Sequence, residues 1–247
     1  MCTVTYLPYR QGFILTHNRD EAPTRSPQVI SRGRSARATT LLFPKDTKAG
    51  GAWIVAARDG RVACLLNGAF VKHRHQPPYR RSRGLVLLDF FDWPDADTFF
   101  TQYDLDQIEP FTFLYFHTGR VLEFRWDGSR RHLAERLPHQ PHFWCSATLY
   151  PPQMQAVREQ VFRDWLQARA DRPTPIRPAS VFNLHLTGSV GDTENNYVMN
   201  RSGRVCTVSV TQAVRKADGS IRMRYSDLLD GRRHRRQIQA AAVVRTD

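Results

Sequence analysis

Cysteine is scarce in this chain: four residues among 247, at Cys2, Cys64, Cys145 and Cys206, far apart and without a CxxC pair. That spacing excludes a disulfide scaffold and a cysteine-rich zinc site. Long uncharged apolar runs are missing, and the mean hydropathy is −0.50, which excludes a membrane-spanning helix. The opening, Met1-Cys2-Thr3-Val4-Thr5-Tyr6-Leu7-Pro8-Tyr9-Arg10, lacks the basic-then-apolar layout of a secretory signal, so a cytoplasmic protein is expected. Lysine is also rare, standing only at Lys45, Lys48, Lys72 and Lys216.

Arginine fills that gap. The 36 basic residues outnumber 23 acidic ones, for a net charge of +13 and an isoelectric point near 10.2. Such an excess concentrates anionic partners around the molecule. Two clusters lead, Lys72-His73-Arg74-His75 with Arg80, Arg81 and Arg83, and Arg232-Arg233-His234-Arg235-Arg236. No helix-turn-helix, RNP-like or zinc-finger pattern organises them, so nucleic acid ranks last among partners. Oligomeric state leaves no trace in the sequence.

With 41% hydrophobic residues, the length suits one large domain, 1–247, or at most two small ones. Short strands and turn signals dominate. Thr3–Leu7 and Phe13–Asn18 read as a hairpin, as do Trp53–Ala57 with Val62–Leu66 around Asp59-Gly60, where a two-residue loop is expected. Phe111–Phe116 pairs with Val121–Trp126, and Val205–Val214 with Ile221–Tyr225. Helices are expected over Gly84–Phe91 and Asp95–Tyr103. A third follows Pro151-Pro152, with Met154, Val157, Val161, Phe162, Trp165 and Leu166 on one stripe. Ala22–Thr40 and Asp171–Ser180 read as loops. Hairpins separated by grouped helices predict an α+β fold, with helices packed outside stacked antiparallel sheets.

The two early hairpins bring chemistry together. If Leu7 faces Phe13, Cys2 faces Asn18, with Asp20 just beyond; if Arg58 faces Arg61, Asn67 faces Ala52. Removal of Met1 would leave a cysteine bearing both a thiol and an α-amine, and that amine titrates near neutrality, close enough to take the thiol proton. One residue then supplies nucleophile and base. Asp20 is placed to orient the ammonium, Arg19 or another nearby arginine to favour thiolate, and the Asn67 amide to donate to an oxyanion. Taken singly, each feature has a plainer reading: an ordinary strand cysteine, a solvated turn, a glycine bend at Gly50-Gly51, a core Trp53.

Met1-Cys2-Thr3, Asn18-Arg19-Asp20-Glu21, Gly50-Gly51-Ala52-Trp53 and Leu65-Leu66-Asn67-Gly68, in that order and spacing, closely resemble the NRDE family, that of transport and Golgi organisation protein 2 and its bacterial relatives. The resemblance implies a branch of the N-terminal nucleophile hydrolases with an αββα four-layer sandwich, distantly similar to penicillin V acylases and bile-salt hydrolases. Position by position, the nucleophile falls at Cys2, and Asn18, Asp20 and Asn67 match. The acylases' arginine before the asparagine is replaced by His17. A second oxyanion asparagine falls at Cys145, a poor donor, leaving Ser146 or backbone N–H groups, and a late-strand arginine falls at Arg204.

The implied activity is hydrolysis of a linear amide, or of a thioester, in a small acylated or anionic molecule. Gly51, Trp53, Arg19, Cys145 and Ser146 would contact substrate, and the basic loop Lys72–Arg83 would line the pocket mouth. No cofactor or metal is called for. The alternative is a carrier on the same fold. The family's eukaryotic members are linked to haem trafficking and lipid handling, and His17, His73, His75 and Cys2 are the available haem ligands, although no CxxCH motif occurs.

Overall fold

The computed structural model, which describes residues 2–25, 29–170 and 175–240, contains fourteen strands among those residues. One antiparallel sheet takes β1 (Cys2–Tyr9), β2 (Gly12–Glu21), β10 (His142–Cys145), β11 (Asn200–Arg201), β12 (Val205–Arg215), β13 (Ile221–Asp227) and β14 (Arg233–Ile238). Their order is β10-β1-β2-β12-β13-β14, and β11 adds to β12. The other takes β3 (Ile30–Arg34), β4 (Thr40–Pro44), β5 (Ile54–Ala57), β6 (Val62–Asn67), β7 (Phe111–His117), β8 (Arg120–Trp126) and β9 (Arg131–Arg136), in chain order. Four α-helices complete the described residues: α1 (Arg83–Asp89), α2 (Ala96–Gln102), α3 (Pro152–Ala170) and α4 (Pro178–Thr187).

Three apolar layers hold these parts together. Between the sheets, Val4, Tyr6, Phe13 and Leu15 meet Ile54, Val62, Cys64, Leu114 and Phe116. Outside the second sheet, Phe90, Phe99 and Phe100 from the α1–α2 region close over Val55, Ala63, Phe113 and Phe124. Outside the first, Phe162, Val181 and Leu184 from α3 and α4 cover Leu7 and Ile14. The result is helices packed outside two stacked antiparallel sheets, as the hairpins and helices predict, in the αββα order that the family resemblance implies. No helix among the described residues is long and apolar enough to cross a membrane.

Both early registers differ from expectation by one residue. β1 and β2 pair Cys2 with Arg19, Thr3 with Asn18 and Leu7 with Ile14. β5 and β6 pair Ile54 with Cys64. The loop between them has three residues, closed by the Ala57 N–H donating to the Arg61 carbonyl at 2.8 Å. A one-residue slip moves a side chain to the other face of a sheet, and that decides what surrounds Cys2. The segment read as a loop over Ala22–Thr40 contains β3, while residues 26–28 of it lie outside the described residues. Of Asp171–Ser180, residues 171–174 also lie outside, and the rest runs into α4.

Candidate active site

Alternation along β2 splits the Asn18-Arg19-Asp20-Glu21 segment between two environments. Arg19 and Glu21 face a cleft of 510 Å³ that Cys2 also lines, whereas Asn18 and Asp20 face the layer of α3 and α4. Paired residues share a face, so the neighbour of Cys2 is Arg19 rather than the expected Asn18.

Around the cleft, Gly51, Ala52 and Trp53 meet Leu65 and Asn67 from β6, and His75, Tyr79, Arg81, Ser82 and Arg83 form the mouth. The basic loop therefore does line the opening. Arg19 lies with its guanidinium carbon 4.2 Å from the Trp53 ring centre and donates to Asp46 at 2.5 Å. Arg25 reaches the same carboxylate at 2.6 Å and Glu21 at 3.0 Å. Burial pushes Asp46 up, but the N–H groups of Ala49 and Lys48 and the two guanidinium groups outweigh it and hold the carboxyl below its usual range. Arg81 pairs with Asp89 at 2.5 Å and Arg83 with Glu109 at 2.9 Å. Every arginine lining the cleft thus has a carboxylate partner, and the positive character expected of the mouth is largely cancelled within the protein. The Asn67 side-chain amide makes no hydrogen bond within the described residues, and the buried Nε1 of Trp53 also lacks a partner there.

Cys2 is 3% exposed. Burial pushes its thiol up, the Asp20 charge adds to this and Arg19 opposes it, so the resting group is a thiol that needs a base. Cys64, Cys145 and Cys206 are also raised, first by burial, Cys145 to about 12.

Behind the first sheet, Asn18 is fully engaged. Its Nδ2 donates to the carbonyls of His185 and Tyr197 at 2.9 and 2.7 Å, and its Oδ1 accepts from His185 Nδ1 at 2.5 Å. The Thr5 hydroxyl then donates to His185 Nε2 at 2.7 Å. Asn18 fastens α4 to β2 and does not enter the cleft. Asp20 accepts from Thr207 Oγ1 at 2.7 Å and Tyr150 Oη at 3.0 Å. Burial raises its carboxyl, and Arg158 with these hydroxyls opposes the rise. Arg158 was not among the expected residues, yet it is fully buried, stacks 4.0 Å from the Tyr150 ring and donates to Thr3 Oγ1 at 2.5 Å. Its signal was there to read: it sits four residues after Met154 and four before Phe162, on the stripe proposed for α3, while Val157 is 46% exposed.

Three further expectations are corrected in placement. Cys145 stands opposite Thr3, on the Arg158 side of the sheet. Ser146 donates its N–H to the Cys2 carbonyl at 2.9 Å and its hydroxyl to the Asn67 carbonyl at 2.6 Å, so neither proton is left for an oxyanion. Arg204 is exposed in the turn between β11 and β12. The four candidate haem ligands are not gathered either: Cys2 and His75 line the cleft, His73 and His75 both bond Glu109, and His17 lies in the β2 interior.

Two antiparallel sheets between helical layers, with Cys2 at the start of the first strand against a cleft, define an N-terminal nucleophile hydrolase-like fold. Solved structures agree. Penicillin V acylase from Agrobacterium tumefaciens superposes with a TM-score of 0.55 at 10% identity, covering 95% of this chain and 85% of that one. A variant of the conjugated bile acid hydrolase from Clostridium perfringens gives 0.55 at 9%, covering 96% and 92%. No curated protein matches the chain. The family model for Transport and Golgi organisation 2 matches residues 1–209, and the chain belongs to that family.

Proposed function

We propose that this chain is a cysteine N-terminal nucleophile amidohydrolase, cleaving a linear amide or thioester of a small acylated molecule. The observation that carries the reading is the convergence of Cys2, the free amide of Asn67 and the Trp53-stacked Arg19 on one cleft. Because the cleft's arginines are already paired, a neutral or weakly charged acyl compound suits it better than a strongly anionic one.

In this reading Met1 is removed and the α-amine of Cys2 takes the thiol proton. Sγ attacks the carbonyl carbon, and the oxyanion accepts from Asn67 Nδ2. The amine's proton passes to the leaving nitrogen or thiol as the bond to carbon breaks, leaving an acyl thioester on Cys2. Water then attacks, gives its proton to the α-amine, and the acid departs as the thiol re-forms. Arg19 stabilises the thiolate from the same face. Asp20 acts from the other face of the sheet, through its charge.

Intact mass of the mature protein, followed by turnover of a panel of acyl amides and acyl thioesters, tests this. Loss of Met1, faster alkylation of Cys2 than of the other three cysteines, and loss of turnover in Cys2→Ala are expected. A retained Met1, or equal turnover in the parent, Cys2→Ser and Cys2→Ala, overturns it.

A further inference from the structure

A second and larger concavity, 830 Å³, lies at the far end of the first sheet and shares no lining residue with the Cys2 cleft. Pro8 and Tyr9 border it, at the opposite end of β1 from Cys2 and roughly 20 Å away at the rise of an extended strand. It opens on the helix-bearing face, between the start of α4 and strands β13 and β14.

Six cations line it: Arg10, Arg177, Lys216, Arg222, Arg224 and Arg235. They come from the β1–β2 turn, the N-cap of α4, the end of β12, and strands β13 and β14. Among the described residues no carboxylate lines the groove, and none of the six forms an ion pair with a described residue. Asp218, exposed in the β12–β13 turn, feels Lys216 but lies outside the lining. The contrast with the Cys2 cleft, where every arginine is paired, is complete.

The arrangement also works against itself. Arg224 stands directly opposite Arg235 on the neighbouring strand, with Arg233 next along. Like charges in that position repel. Arg224 is held there by its guanidinium carbon lying 3.5 Å from the Phe182 ring centre on α4. The positive end of α4 adds to the same field. Tyr9, Ile176 and Val214 give the groove an apolar wall.

We propose that this groove binds a small soluble oligophosphate, two or more linked phosphate groups carried on a compact molecule. Guanidinium groups fork onto phosphate oxygens in pairs, and several converging forks match several linked phosphates better than one. Cations gathered around a concavity of small-molecule size suit a compact ligand. A nucleic-acid strand calls for a track that follows its backbone.

Calorimetric titration of the whole chain with tripolyphosphate at low salt tests this, with orthophosphate, a single-stranded oligonucleotide and phosphatidylserine-containing vesicles in parallel. Saturable binding of one tripolyphosphate per chain, a raised Tm, and at least about tenfold weaker binding of orthophosphate are expected. R224Q/R235Q weakens tripolyphosphate binding by about tenfold or more. R177Q, on a separate element and exposed, weakens binding without touching the sheet and decides the matter if the double variant folds poorly. Absence of saturable binding, undiminished binding in both variants, or tighter binding of the oligonucleotide or the vesicles than of tripolyphosphate overturns the proposal.

Discussion

Arg158 is a cation with no exposed surface, tolerated because Asp20, two tyrosine rings and the carbonyls of Asn195 and Asn196 surround it. Removing one charge of such a set leaves the other buried and uncompensated, at a cost of roughly 3–5 kcal/mol. Arg158→Met is therefore expected to lower the urea midpoint sharply, and adding Asp20→Asn to recover part of the loss; a double-mutant cycle with no coupling would show that the two act separately. Asn18 is likewise structural in its contacts. Asn18→Ala is expected to destabilise α4 docking by about 1–3 kcal/mol, since it orphans buried groups of His185 and Tyr197, measurable as faster amide exchange over Pro178–Thr187. Residue types and positions around the cleft were legible from the sequence: Cys2, Arg19, Trp53 and Asn67 do meet. The face each occupies was not, because it depends on a register that one residue can invert.

Glycines explain why the registers slipped. Gly12 reads as a turn residue, but it lies within β2, where an added Cβ would fall 2.0 Å from the Arg215 carbonyl oxygen. The turn itself is Arg10-Gln11, with Arg10 at φ 55°. Gly60, at φ 91°, ends a three-residue loop rather than filling a two-residue one. The overlooked strands β9 and β14 are edge strands of largely polar sequence, without the apolar alternation that marks a half-buried strand. The start of α4 was hidden by prolines and arginines that read as loop. Gly51 has a sharper role than a bend: its Cβ would meet the Gly84 carbonyl carbon at 2.5 Å, so the two backbones touch where α1 walls the cleft. Gly51→Ala is expected to cost about 1–3 kcal/mol by overpacking, seen as a lower Tm, and to change KM for any cleft substrate; an unchanged Tm would refute the contact.

For the molecule as a whole, two fully buried histidines set the acid limit. Burial first, then neighbouring cations, lower both His17 and His185 to about 3, whereas in the unfolded chain each titrates near 6.5. Above about pH 6.5 neither state binds these protons and stability is undiminished. As the pH falls below that, the unfolded chain takes up protons the native one refuses, and stability drops by about 1.4 kcal/mol per pH unit for each histidine. Urea midpoints measured from pH 7 to pH 4 should fall accordingly, and His185→Gln should flatten the slope even if it lowers the plateau. An equal slope in parent and variant would assign acid sensitivity to the carboxylates instead.

Ser146 belongs to neither half of the proposed reacting pair, yet it grips both: the carbonyl of Cys2 on one layer and that of Asn67 on the other. The gap across which sulfur and amide would work on a substrate is thus fixed by a rivet between two stacked plates. Slackening that rivet, as Ser146→Ala would, lets the plates drift by fractions of an ångström, and reactivity would fade while both working groups stayed intact.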